Sequence, residues 1–236
     1  MKKQIFAMSM LAVAGFAGSS HAVDGVFELN EACASIGCVT GDTSGFPITI
    51  TNPGSYRLTS NLATGSAATT LIEVTASNVS IDLNGFSLIG PVSCSGSELT
   101  CTTSGAGIGI DALGQENIVI RNGSIAGMGN DGLQVGVGAL LEDLVVAENG
   151  NIGINAQSAG AVLQRLAVRE NGGIGVALGF GSSYLMDSTV FNNADQGVFG
   201  GFCGNVLMVG NRNGGGIGNS CIAIAPNRCD VATECD

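Results

Sequence analysis

Asp143, Arg165 and Asp187 follow one another at intervals of 22 and 22 residues. A guanidinium flanked by two carboxylates has recognisable chemical uses. One carboxyl can serve as general acid and the other as base, or the pair can hold calcium while the guanidinium neutralises an anionic substrate. A second charged set has the same spacing: Glu148 and Glu170 are 22 apart, with Arg169 beside the latter. The first set supplies the candidate catalytic residues and the second the candidate binding residues. A plainer reading competes with both. Charges that alternate in sign along a stack attract their neighbours, and an exposed pair of this kind contributes under about 1 kcal/mol. The plainer reading is preferred, and the adjacent acids Glu142 and Asp143 are read as solvated surface.

Equal spacing carries chemistry only if the fold returns every 22 residues to the same face, and other markers say that it does. An apolar residue three before an Asn recurs at Val146/Asn149, Val168/Asn171 and Val190/Asn193, at intervals of 22 and 22. A Gly–apolar step recurs at Gly107, Gly132, Gly153, Gly175, Gly197 and Gly216, at intervals of 25, 21, 22, 22 and 19. Between these markers lie short alternating runs at 118–120, 140–146, 162–168, 184–190 and 206–209, broken by Gly, Asn and Asp. Helical periodicity and leucine-rich repeat signatures are absent.

Each unit is too short to bury its own apolar face. Stacking units at the inter-strand spacing of about 4.8 Å completes the hydrogen-bond ladders and forms one continuous core. The expected fold is therefore all-β: a right-handed parallel β-helix of rungs about 22 residues long. Asn149, Asn171 and Asn193 are expected as an inward structural ladder at a corner, where Asn tolerates left-handed backbone angles. Upstream, 71–74 with 79–89 forms one rung, and Ile48–Ile50 with 55–58 forms another.

The expected organisation is a signal peptide at 1–22, an N-terminal cap at 23–45, a β-helix at 46–220 and a Cys-containing tail at 221–236. A Ser/Thr-rich insertion at 92–106 interrupts the helix and reads as a loop off its body. The signal rests on Lys2 and Lys3, an apolar run over 5–18 and small residues around Ala22. That run is too short to span a bilayer, which takes roughly 20 residues. Removing 1–22 takes away the only His and both Lys. Six arginines then stand against all nineteen acidic residues, a net charge of −13. Such a chain repels nucleic acid and anionic lipid. The expectations are no nucleic-acid partner and no transmembrane segment after cleavage, in a chain that is secreted, periplasmic or on the cell surface, and bacterial in style.

Eight cysteines in an exported chain read as disulfides. Proximity pairs Cys33 with Cys38, Cys94 with Cys101, Cys203 with Cys221 and Cys229 with Cys235, stapling the ends and the insertion. Zinc is disfavoured, because the short pairs enclose four, six and five residues and no His remains. The Gly-Gly-x-Gly starts at Gly172 and Gly215 lack the Asp of a calcium β-roll. Phosphate loops and Ser-His-Asp triads fail for want of Lys and His. No metal and no cofactor are expected. Trp is absent and Tyr occurs twice, so aromatic sugar platforms are scarce.

The run from Ile50 through Asn52-Pro53-Gly54 and Tyr56-Arg57-Leu58 to Leu62 resembles the opening of the bacterial right-handed β-helix repeat proteins of the pectin-lyase-like superfamily. So does 78–91, with its Asn78-Val79-Ser80-Ile81-Asp82-Leu83-Asn84-Gly85 core. The later Gly-Ile-x-Val and Glu-Asn-Gly units are similar to that group's repeat. The resemblance implies a solenoid that hosts polysaccharide lyases, hydrolases, epimerases and adhesins, and fold alone does not choose among these. The pectate-lyase-like Arg-x-Pro-x-x-Arg pattern is absent; Arg165 and Arg169 come nearest, without the Pro. The polygalacturonase-like Asn-Thr-Asp and Gly-His-Gly motifs are absent as well. The expected function is a non-catalytic exported module that binds a surface or extracellular polysaccharide or protein. The alternative is a small polysaccharide lyase or hydrolase using Asp143, Arg165 and Asp187, and calcium enters only under that alternative.

Overall fold

The structure, a computed structural model, describes residues 25–102, 104–212, 221–224 and 226–229. The expected signal segment, the partner cysteine Cys235 and half of the tail, 225 and 230–236, lie outside these residues. The chain winds as a parallel β-helix of about eight turns with three faces.

The first face is a seven-stranded parallel sheet of Ile48–Ile50, Ile72–Val74, Ile110–Ala112, Leu133–Val135, Ile154–Ala156, Val176–Leu178 and Val198–Phe199. The second face runs from Val26–Leu29 through Gly54–Leu58, Val79–Asp82, Val162–Gln164, Tyr184–Met186 and Phe202–Gly204 to Ile222–Ala223. The third holds Leu62–Ala63, Ser87–Ile89, Ala167–Arg169, Thr189–Phe191, Leu207–Val209 and Arg228–Cys229. Two eight-residue strands, Val119–Ala126 and Leu140–Ala147, run through both faces and join them into one fifteen-stranded sheet.

The alternating pattern explains why these runs are strands. On the second face Ile81, Ile120, Leu141, Leu163, Leu185 and Cys203 are partners in successive rungs and fully buried. On the third, Leu88, Ile125, Val146, Val168 and Val190 form a like column, followed by Met208. Each side chain packs on the one a rung away, so the core is a continuous aliphatic rod. Burying one such side chain contributes about 1.5–3 kcal/mol relative to leaving it exposed.

The bend between the second and third faces is made by one left-handed residue per rung. Asn122, Asp143, Arg165, Asp187 and Asn205 have φ of 60°, 55°, 54°, 49° and 54°. A single such residue between two extended ones turns the chain without a loop. Asn and Asp tolerate it better than other side chains, so Arg165 is the unusual member.

At the N-terminal end the strand Val26–Leu29 pairs with Gly54–Leu58. The short helix Glu31–Ala34 follows, with Asn30 as its N-cap: Asn30 Oδ1 accepts from the Cys33 amide at 2.9 Å. Among the described residues three disulfides form: Cys33–Cys38, Cys94–Cys101 and Cys203–Cys221. Cys203 ends the aliphatic column of the second face, so its bond ties the last rungs to the core. Among the described residues no helix is long and apolar enough to cross a membrane.

Candidate functional site

Asp143 and Arg165 are neighbours in the column of left-handed residues, one rung apart. Arg165 donates from Nε to Asp143 Oδ1 at 2.7 Å and from Nη2 to Asp143 Oδ2 at 2.9 Å. The same Nη2 also donates to Glu142 Oε2 at 2.9 Å, an oxygen that accepts from Gln164 Nε2 at 2.8 Å as well. The bidentate guanidinium holds the Asp143 carboxyl below the usual carboxylate range, and the two carboxylates raise Arg165 above its own. Asp187 occupies the next position of the column but turns the other way, its Oδ1 accepting from Asn205 Nδ2 at 2.7 Å. The three residues share a face, and only two of them touch.

Register settles which residue precedes Asp143. Arg121 is the partner of Glu142 and Gly123 of Leu144, which puts Asn122 opposite Asp143. Arg121 therefore belongs to a parallel column of Glu28, Arg57, Asp82, Arg121, Glu142 and Gln164. Its charges alternate in sign, and Arg57–Glu28 at 3.1 Å and Arg121–Asp82 at 3.2 Å are ion pairs within it. The Arg165 cluster continues this surface ladder.

Glu148 and Glu170 also stack in a left-handed column, at φ 55° and 55°, followed by Asn192 at 51° and Gly210 at 64°. Arg169 pairs with Glu170, and Glu148 Oε2 accepts from Ser93 Oγ at 3.3 Å. Ser93 belongs to the insertion, which does not stand off the body. Its hairpin, Cys94–Ser95 against Thr100–Cys101, lies along this corner as a strap. The strap crosses several rungs, from Ser93 on Glu148 to Glu98 paired with Arg212. Its disulfide seats on glycine: a Cβ on Gly172 would stand 2.8 Å from Cys101 Sγ. Two cavities flank it. One, of about 330 Å³, is lined by Ser95, Ser97, Glu170, Asn192 and Arg212 among others. The other, of about 410 Å³, lies between 99–102 with Ser104 and Gly150 with Gly172.

Asn149, Asn171 and Asn193 are fully buried at the corner between the third and first faces. Asn171 Oδ1 accepts from Asn149 Nδ2 at 2.9 Å and from its backbone amide at 3.1 Å. Asn193 Oδ1 does the same for Asn171, at 2.9 and 3.1 Å. Asn149 Oδ1 in turn takes the amide of Met128 at 3.0 Å. The Gly–apolar step belongs to the same device. A Cβ on Gly153 would stand 2.7 Å from Asn171 Nδ2 and 2.9 Å from Val168 Cγ1. The two sequence markers share one period because they touch.

Several participants escape the sequence reading. Asn211 extends the ladder, its Oδ1 accepting from Asn193 Nδ2 at 2.8 Å. It follows at 18 residues instead of 22, because the chain takes four residues from Val198 to Phe202 where the preceding rung takes eight from Val176 to Tyr184. The apolar-before-Asn marker does recur, as Met208/Asn211, at that shorter interval. Asp131, 2% exposed, accepts from Asn151, Gln134, Asn155 and the Ile152 amide. Nothing in its spacing marked it. Among the described residues no three His, Cys, Asp or Glu side chains converge as a metal site.

Comparison of the chain with protein-family models, with curated proteins and with solved structures finds no match in any of the three.

Proposed function

We propose that this chain is an exported β-helix module that binds a glycan or protein partner on its outer surface and catalyses no reaction itself. The observation that carries this reading is the closed ion-pair set around Arg165. A lyase base must accept a proton, and Arg165 is shifted upward, away from doing so. A glycosidase general acid needs a raised carboxyl pKa, and Asp143 is shifted downward. The first shift opposes Arg165 as a lyase base, and the second opposes Asp143 as a general acid.

Binding is supported by the outer surface of the second face. Val119, Leu140, Val162, Tyr184, Phe202 and Ile222 stand in register there, half-buried or exposed. They form an apolar stripe that extends for roughly 24 Å at the inter-strand spacing. Tyr184 and Phe202 stack on each other, with centroids 5.2 Å apart. Export is supported by three disulfides among the described residues, since such bonds persist in oxidising compartments. The finer likeness to bacterial pectin-lyase-like β-helices belongs to the same proposal. The motif residues at 54–58 and 79–82 that suggest it form adjacent strands of one sheet.

The test is a screen of the purified chain against uronate and neutral polysaccharides, with and without calcium. The expected result is saturable binding without cleavage. Product formation that Arg165→Ala abolishes would overturn the proposal.

A further inference from the structure

We propose that the slot roofed by the disulfide strap is a binding site for a neutral saccharide unit. The proposal rests on the reading of the chain as a binding module and assigns that module a site away from the apolar stripe. The slot is a half-open cavity with side chains on several sides. Cys94, Ser95, Gly96, Ser97 and Leu99 roof it, Glu170, Asn192 and Gly210 form its wall, and Arg212 stands at one end, tied to Glu98 of the strap. Its volume of about 330 Å³ lies at the lower end of the range of small-molecule sites, about 300–1,000 Å³, which suits a single sugar ring.

The lining chemistry selects the ligand class. Ser95 and Ser97 offer hydroxyls, Asn192 an amide and Glu170 a carboxylate, so donors and acceptors are mixed as a polyhydroxylated ring requires. The fixed charges come in pairs, Glu170 with Arg169 and Glu98 with Arg212. The slot is therefore polar and locally neutral, and a uronate or phosphate meets no unmatched cation. A carboxylate has about four lone-pair sites, so the Arg169 contact leaves Glu170 able to accept from sugar hydroxyls. The glycines nearby are taken up by the protein itself: the Asn192 side chain leans over Gly210, and Cys101 Sγ sits against Gly172. The column also places Glu170 at φ 55°, a conformation that Gly or Asn adopts with less strain.

The experiment titrates the purified, disulfide-bonded chain calorimetrically with cellotriose, mannotriose, galactotriose and chitotriose, with trigalacturonate as the charged arm. At least one neutral trisaccharide is expected to bind, and trigalacturonate at least tenfold more weakly. Asn192→Gly removes the amide, and its backbone suits the left-handed position, so the fold is kept. It is expected to weaken neutral-sugar binding at least tenfold, as is Cys94→Ser with Cys101→Ser, which frees the roof. Tyr184→Ser, on the apolar stripe, is expected to leave sugar binding unchanged. Sugar binding that survives Asn192→Gly and is lost with Tyr184→Ser overturns the slot and leaves the binding-module reading standing. Preference for trigalacturonate, or no binding of any neutral trisaccharide by the unaltered chain, overturns the slot as well. Cleavage of a saccharide would count against the module reading instead.

Discussion

Arg165 grips Asp143 through two parallel hydrogen bonds, Nε to Oδ1 at 2.7 Å and Nη2 to Oδ2 at 2.9 Å, across one rung of the β-helix. The pair sets a pH dependence whose sign can be worked out. Asp143 is depressed in the folded state, chiefly by its hydrogen bonds to Arg165. Its contribution to stability is present above the unfolded carboxylate pKa of about 3.9 and is lost as pH falls through the lower folded value. Arg165→Ala is expected to return Asp143 to the ordinary carboxylate range. Carboxyl NMR titration of the two forms checks this, and an Asp143 that titrates identically in both would refute it.

The asparagine ladder predicts a graded response to truncation. Asn171→Ala removes the oxygen that accepts from both Asn149 Nδ2 and the Asn149 amide, at a fully buried site. Leaving a buried donor unsatisfied costs about 1–3 kcal/mol, so two orphaned donors should cost on the order of 2–4 kcal/mol after relaxation. Asn149→Ala orphans only the Met128 amide and should cost less. Denaturant unfolding of the two variants decides, and equal losses would mean that the ladder is not cooperative in this sense.

Two glycine-to-alanine changes should separate packing from chain entropy. A Cβ on Gly153 would meet Gly175 O at 2.6 Å and Asn171 Nδ2 at 2.7 Å, whereas one on Gly65 would meet nothing within 4 Å. Gly153→Ala is expected to destabilise by about 1–3 kcal/mol through overpacking. Gly65→Ala is expected to be neutral, or stabilising by up to about 1 kcal/mol, because it restricts the unfolded chain. Thermal unfolding measures both, and a harmless Gly153→Ala would show that the corner can relax.

The strap should loosen independently of the body. Its disulfide closes a short segment from Cys94 to Cys101, and the strap is otherwise held by contacts such as Ser93–Glu148 and Glu98–Arg212. With both cysteines changed to Ser, amide exchange over 92–106 is expected to quicken, while the aliphatic columns around Leu141 and Leu163 stay protected. Exchange mass spectrometry reads this directly. Quickening throughout the solenoid would instead make the strap part of the global fold.

The sequence by itself determined the solenoid, its rung length and the partners in its regular 22-residue columns. Each of these follows from a local rule repeated along the chain. Alternation makes a strand, Gly and Asn make a corner, and a fixed count brings like residues into register. Three disulfide pairs were legible for the same reason, since chain proximity chose them. Tertiary structure decided what each side chain does once it is in register. Spacing put Asp143, Arg165 and Asp187 in one column, but Arg165 turns to Asp143 and Glu142 while Asp187 turns to Asn205. That choice depends on side-chain angles and neighbouring columns, which a period does not encode. The 22-residue count also hid Asn211, because one corner is four residues shorter. It likewise hid the strap, whose contacts at Glu148, Gly172 and Arg212 join residues far from it in sequence. Periodicity specifies a lattice of positions, and the direction of each side chain is settled only when the lattice is packed.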